Sequence, residues 1–269
     1  MTADKGVVPL RPLGGKAPLF VVAGARGQLD HYERLVTHIN SDHPVYGLRP
    51  SVSPDRRVAR ARIETLAEEY AQSLVDVVDP SRCILLGYCF SGLVAYETAR
   101  QLATNHGCAP RLLVLDAYYM RRTGRLQLER EKLRDLQSRN LRGKVSWVAT
   151  RASGLAVKAR ARAAWVGYDV LTELHAPVPH ALATTKPGVS RAESRGGLQP
   201  SEIELTLIHM DEQGRDWSAS IAFWRYLARG GFQLETVERE GIRHDNLLEE
   251  PWVSTVGERI SALAAGAMP

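Results

Sequence analysis

Gly87-Tyr88-Cys89-Phe90-Ser91-Gly92 stands between the apolar run Ile84-Leu85-Leu86 and the segment Leu93-Val94-Ala95-Tyr96-Glu97-Thr98-Ala99-Arg100-Gln101-Leu102. The order reads as a buried strand, a sharp turn and a helix. Such a turn lifts its central residue above the carboxyl end of the strand and aims it at the helix N-terminus, where developing negative charge is stabilised. Turns of this kind usually carry serine at the crest, but here the residue is Cys89. A thiol in that place predicts an acyl group carried as a thioester on the chain itself. Free cysteines otherwise serve as small apolar fillers. That is the reading for Cys83, at the start of the strand, and for Cys108, beside a Gly/Pro-containing loop.

Working outward, strands and helices alternate. Residues 19–23 form the first short buried strand, after a lead rich in Pro and Gly in which Gly14-Gly15-Lys16 reads as a solvated turn. A helix around 31–39 and a strand at 45–48 follow. Across 62–78, Ile63, Leu66, Tyr70, Leu74 and Val77 or Val78 fall on one face at helical spacing. Residues 112–115 are a fully apolar strand that ends at Asp116. From about 118 to 200 the pattern changes to Arg/Leu/Ala-rich helical stretches, which predicts an inserted helical lid. Alternation resumes with a strand at 205–208, a helix at 217–228, a strand at 232–237, the loop Gly241-Ile242-Arg243-His244-Asp245-Asn246 and a closing helix at 252–263. This order predicts an α/β fold with a mostly parallel central sheet flanked by helices.

The 269 residues, 44% of them hydrophobic, suffice for one domain with an insertion, and no internal repeat is visible. No apolar stretch is long enough for a signal sequence or a membrane span, so the expectation is a cytoplasmic protein with no membrane partner. Three cysteines without framework spacing argue against a disulfide-stapled domain. The net charge of +5 is uneven: between Arg121 and Arg162 thirteen Lys/Arg stand against three Asp/Glu, a local +10 that leaves −5 for the rest. Trp147 and Trp165 interleave with this stretch, yet no nucleic-acid reading motif accompanies it, and a solvated helical face is the expectation. His175 and His180 lack Cys or carboxylate partners at ligand spacing, so no metal is expected.

A nucleophilic thiol needs a base, and the base an orienting acid. Asp116 directly follows an apolar strand, and His244 lies in the loop between the last strand and the last helix. Cys, Asp, His is the chain order of the α/β-hydrolase fold. With these residues in place, the chain resembles a thioesterase domain of the non-ribosomal peptide and polyketide synthase type. The likeness runs through Val8-Pro9-Leu10-Arg11-Pro12, residues 19–27, 85–102, 113–118 and 241–251. It implies Cys89 as nucleophile, His244 as base and then acid, Asp116 as the orienting carboxylate, and the backbone N–H groups of Ala25 and Phe90 as the oxyanion hole. Three departures stand out: cysteine for serine, Ser91 where the motif has glycine, and Ala23-Gly24 in place of a His-Pro start to the oxyanion loop. Some members place the acid after the following strand, where this chain has Asp211 in Ile208-His209-Met210-Asp211; Asp211 is the alternative to Asp116.

The resemblance further implies a substrate delivered as a thioester on the phosphopantetheine arm of an acyl or peptidyl carrier protein, with no cofactor bound by the chain. Attack by Cys89 gives an acyl-enzyme that a small-molecule acceptor or water resolves. Thiol-for-thiol exchange keeps the acyl group near its starting energy, which favours aminolysis, ring closure or transfer over hydrolysis. Simple hydrolysis and a non-catalytic hydrolase-fold binding protein are the alternatives. The basic stretch fits an acidic carrier.

Overall fold

The computed structural model describes residues 6–24, 27–39, 42–50, 63–117, 198–211 and 216–266. Seven strands make one sheet: β1 Val7–Arg11, β2 Leu19–Val22, β3 Val45–Leu48, β4 Ile84–Tyr88, β5 Arg111–Leu115, β6 Glu204–Met210 and β7 Gly231–Val237. Numbered among the described residues, the helices are α1 Asp30–His38, α2 Ile63–Val75, α3 Phe90–His106, α4 Ser218–Leu227 and α5 Trp252–Ala264. The sheet order is β1-β3-β2-β4-β5-β6-β7, and every pairing is parallel except that of β1 with β3. This is the α/β-hydrolase architecture that the alternation predicts.

The central strands are uninterrupted apolar runs because both their faces are covered. Alternate residues go to opposite sides. Phe20, Val22, Leu85, Leu112 and Val114 pack with α2 and α3 residues such as Leu66, Tyr70, Val94 and Ala99. Leu19, Val21, Ile84, Leu86, Leu113 and Leu115 pack on the other side with Leu35 of α1 and Val256 and Ile260 of α5.

Two expectations need correction. The first strand is not 19–23, because β1 precedes it on the edge of the sheet, with Pro9 opposite Tyr46 and the register shifting between Pro9 and Arg11. Proline has no N–H to donate, and an edge position with a bulge removes the demand for one. Cys83 is buried, whereas Cys108 is half-buried and no core filler. Gly14-Gly15-Lys16 is exposed, as expected of a turn.

The chain divides into two units, Met1–Tyr119 with Val189–Pro269, and Met120–Gly188. The second unit, and with it nearly all of the expected lid, lies outside the described residues, as do the basic stretch, His175 and His180. Among the described residues no helix is long and apolar enough to cross a membrane.

Candidate active site

The chain leaves β2 toward one edge of the sheet through β3 and starts β4 on the other side, so β2 and β4 flank the point where the strand order reverses. Crevices at such points, beyond the carboxyl ends of the strands, are where open α/β sheets hold ligands. Tyr88 ends β4, Phe90 begins α3, and Cys89 alone makes the turn, with φ 56° and ψ −123°. A non-glycine residue there costs about 1 to 3 kcal/mol and persists only where its surroundings enforce it. Here they do. The Cys89 N–H donates to Leu115 O at 3.0 Å, and Gly92 N–H donates to Cys89 O at 3.1 Å. A Cβ on Gly87 would lie 2.4 Å from Ser91 O and 2.6 Å from Gly92 Cα, so only glycine lets strand and helix cross this closely.

Ser91, at the position where glycine was expected, is fully buried. Its hydroxyl donates to Tyr88 O at 2.8 Å and lies 3.1 Å from the Tyr32 hydroxyl. The Tyr88 N–H points at both oxygens, at 2.9 Å from Ser91 Oγ and 3.0 Å from Tyr32 Oη. Serine therefore fits because its one polar atom is satisfied beneath the turn. Tyr32 escapes sequence reasoning: its place on α1 marks it only as core.

Asp116 follows β5 and is fully buried. Its φ of 46° makes it, with Cys89, one of two non-glycine residues in the left-handed region among the described residues. The Asp116 N–H donates to Ile208 O at 2.7 Å, and Oδ1 accepts the Met210 N–H at 3.0 Å. Oδ2 lies 2.6 Å from His244 Nδ1. On the other side of the ring, His244 Nε2 lies 3.2 Å from Cys89 Sγ. The hydrogen bond with Asp116 first, and that with Cys89 second, raise the His244 pKa to about 10 against the opposing effect of burial. A strained, partly exposed thiol thus faces an imidazole that is oriented and kept protonated by a buried carboxylate. That set can form and break an acyl–sulfur bond while moving one proton.

The backbone group of Phe90 belongs to the first turn of α3, where N–H groups lack intrahelical acceptors. Ala25 lies outside the described residues. Asp211 is exposed, its N–H donates to Val237 O at 3.2 Å, and it lines a cleft of about 840 Å³ with Glu238, Arg239 and Arg243. The carboxylate within hydrogen-bonding distance of His244 is that of Asp116. His31 also reaches the neighbourhood, its ring 6.0 Å from that of Tyr88, and burial lowers its pKa. Among the described residues no group of three or more His, Cys, Asp or Glu side chains is arranged to hold a metal.

A family model described as thioesterase domain matches residues 17–243. The dimodular nonribosomal peptide synthase of Bacillus subtilis (strain 168) is 33% identical over 112 residues, 42% of this chain and 5% of that protein. The chain thus spans a small part of the length of such relatives. Among solved structures, the NocB thioesterase domain in covalent complex with a fluorophosphonate nocardicin G analog superposes with a TM-score of 0.62 at 20% identity, over 97% of this chain and 99% of that one. The Vlm2 thioesterase domain carrying 2,3-diaminopropionic acid and bound to a dodecadepsipeptide gives 0.61 at 16% identity, over 96% and 97%. At such identities these two structures speak for the fold.

Proposed function

This chain belongs to the thioesterase-domain family, of the kind found in nonribosomal peptide synthetases, and on that premise we propose that it carries its acyl or peptidyl chain as a thioester on Cys89. The observation behind this reading is the line of contacts from Asp116 through His244 to Cys89, 2.6 Å and 3.2 Å long, at a turn held in a strained conformation.

The substrate arrives as a thioester on the phosphopantetheine arm of a carrier protein. His244 in its protonated form stabilises the Cys89 thiolate, whose sulfur attacks the thioester carbonyl carbon. The new carbon–sulfur bond forms, the bond to the pantetheine sulfur breaks, and His244 gives its proton to the departing thiolate. The Phe90 N–H serves the oxyanion, with the Ala25 N–H as the second donor that the family resemblance implies; losing one such donor typically costs about 2.7 to 4 kcal/mol in the transition state. In the second half-reaction His244 takes a proton from an amine, hydroxyl, thiol or water as it attacks the acyl-enzyme, and Cys89 leaves.

Asp116 is buried, accepts one main-chain N–H and lies 2.6 Å from His244 Nδ1, so the tilt of the His244 ring is set before substrate binds. Because a thioester reacts readily with amines and thiols, the favoured outcome is aminolysis, ring closure or transfer to another carrier. The carrier is acidic and the site of action cytoplasmic.

Intact mass after mixing with carrier-bound and small-thiol thioesters tests the reading. The parent gains one acyl group, Cys89→Ala gains none, and Cys89→Ser acylates slowly while losing transfer more severely than hydrolysis. An adduct on Cys89→Ala rejects Cys89 as the nucleophile. An unchanged product ratio and rate in Cys89→Ser makes the thiol incidental.

A further inference from the structure

We propose that Tyr88 is a positioning residue that ties the nucleophile turn to the histidine loop and so sets the separation of Cys89 and His244. The inference rests on the reading that those two side chains form the reactive pair. Tyr88 touches both halves of that pair. Its main chain leads directly into Cys89: Ser91 Oγ meets both the Tyr88 N–H and the Tyr88 C=O, and Tyr32 Oη meets the N–H. Its side chain crosses to the other partner: the hydroxyl donates to His244 O, and the two rings lie 5.2 Å apart.

The histidine loop needs such an anchor. Gly241, Arg243 and Asp245 are exposed, and the loop's own bonds, Arg243 N–H to Asn246 Oδ1 at 2.7 Å and Asn246 Nδ2 to Gly241 O at 3.0 Å, run within it. Ile242 and Leu247 are buried on either side, but neither holds the main chain at position 244 itself. The hydrogen bond that His244 Nδ1–H donates to Asp116 fixes the ring, and the hydroxyl of Tyr88 fixes the carbonyl. Two points on one residue determine where Nε2 lies relative to a sulfur whose own backbone Tyr88 also holds. A lone hydroxyl thereby couples two segments 156 residues apart.

Tyr88→Phe deletes that oxygen and keeps the ring. The test measures alkylation of Cys89 by iodoacetamide at neutral pH, followed on the peptide containing Cys89, together with kcat and KM on a small-thiol thioester. Alkylation and kcat are expected to fall about tenfold with KM within twofold, since a displacement of about 1 Å can cost up to 10²-fold. In a His244→Ala background the same change should have no further effect, because no imidazole remains to be positioned against the sulfur. Ser91→Ala, which loosens the same peptide from its other side, should show the same dependence on His244 if Tyr88→Phe fails to fold. Equal losses with and without His244 overturn the tether, as do unchanged alkylation and kcat, or a raised KM at constant kcat, which would make Tyr88 a substrate contact. If His244→Ala itself leaves alkylation of Cys89 unchanged, the reactive pair fails and the tether with it.

Discussion

His244 makes the acid assignment measurable. Its Nδ1 lies 2.6 Å from Asp116, and that bond is the chief cause of a pKa raised from 6.5 to about 10. A folded-state pKa above the unfolded one means that folding favours the protonated ring, so this stabilisation is complete below about pH 6.5 and is lost as pH rises through about 10. Asp116→Asn removes its largest cause. In urea unfolding the variant should fall below the parent at pH 6, and the gap should narrow as pH approaches 10; a constant gap would mean that Asp116 stabilises the fold without His244. In turnover, Asp116→Asn should lose on the order of 10²-fold, less than the ~10⁴ of a serine triad because a thiol ionises more readily. Asp211→Asn, altering an exposed side chain, should stay within about twofold. The places of Cys89, Asp116 and His244 were legible in the sequence because the first two stand at the ends of apolar strands and the third in the loop between the last strand and the last helix. Tyr32 was not, since its hydroxyl meets Ser91 across 59 residues.

At the scale of elements, the crossing of β4 and α3 should tolerate little. Gly87→Ala would set a Cβ 2.4 Å from a main-chain oxygen and 2.7 Å from the Gly92 nitrogen. Neither neighbour is a flexible side-chain end, so turn or helix must shift. Overpacking of this kind costs about 1 to 3 kcal/mol and sometimes more. Thermal unfolding should therefore show a lowered midpoint, and any folded Gly87→Ala should lose Cys89 alkylation along with it. An unchanged midpoint would mean the turn is looser than its geometry. The central parallel strands were readable as apolar runs because helices cover both faces, and α2 because its buried residues recur at helical spacing. β1 was hidden by Pro9, which lowers strand propensity wherever the strand's position in the sheet is unknown. Edge placement is a property of the assembled sheet, and no local pattern encodes it.

For the whole molecule, the distribution of charge suggests how substrate is delivered. Between Arg121 and Arg162 the chain carries a surplus of +10 while the remainder sums to −5, so the positive field is concentrated in one segment. That segment lies outside the described residues, so the docking role proposed for it is argued from charge alone. An acidic carrier would be attracted to it over distances comparable with the Debye length, about 10 Å at 0.1 M salt, which raises the association rate more than the affinity. A small thiol ester that bears no protein gains nothing from such a field. Reversing four arginines, Arg121, Arg122, Arg125 and Arg130, to glutamate should lower kcat/KM for a carrier-delivered substrate about tenfold at low salt, with the loss shrinking as salt is added. Turnover of the small-thiol substrate should remain within about twofold, because the reacting groups are untouched. Equal losses on both substrates would place the effect in the fold or the site, and no loss on either would leave the segment a solvated surface. A loss on the carrier substrate alone, removed by salt, is the result that assigns the basic segment to docking.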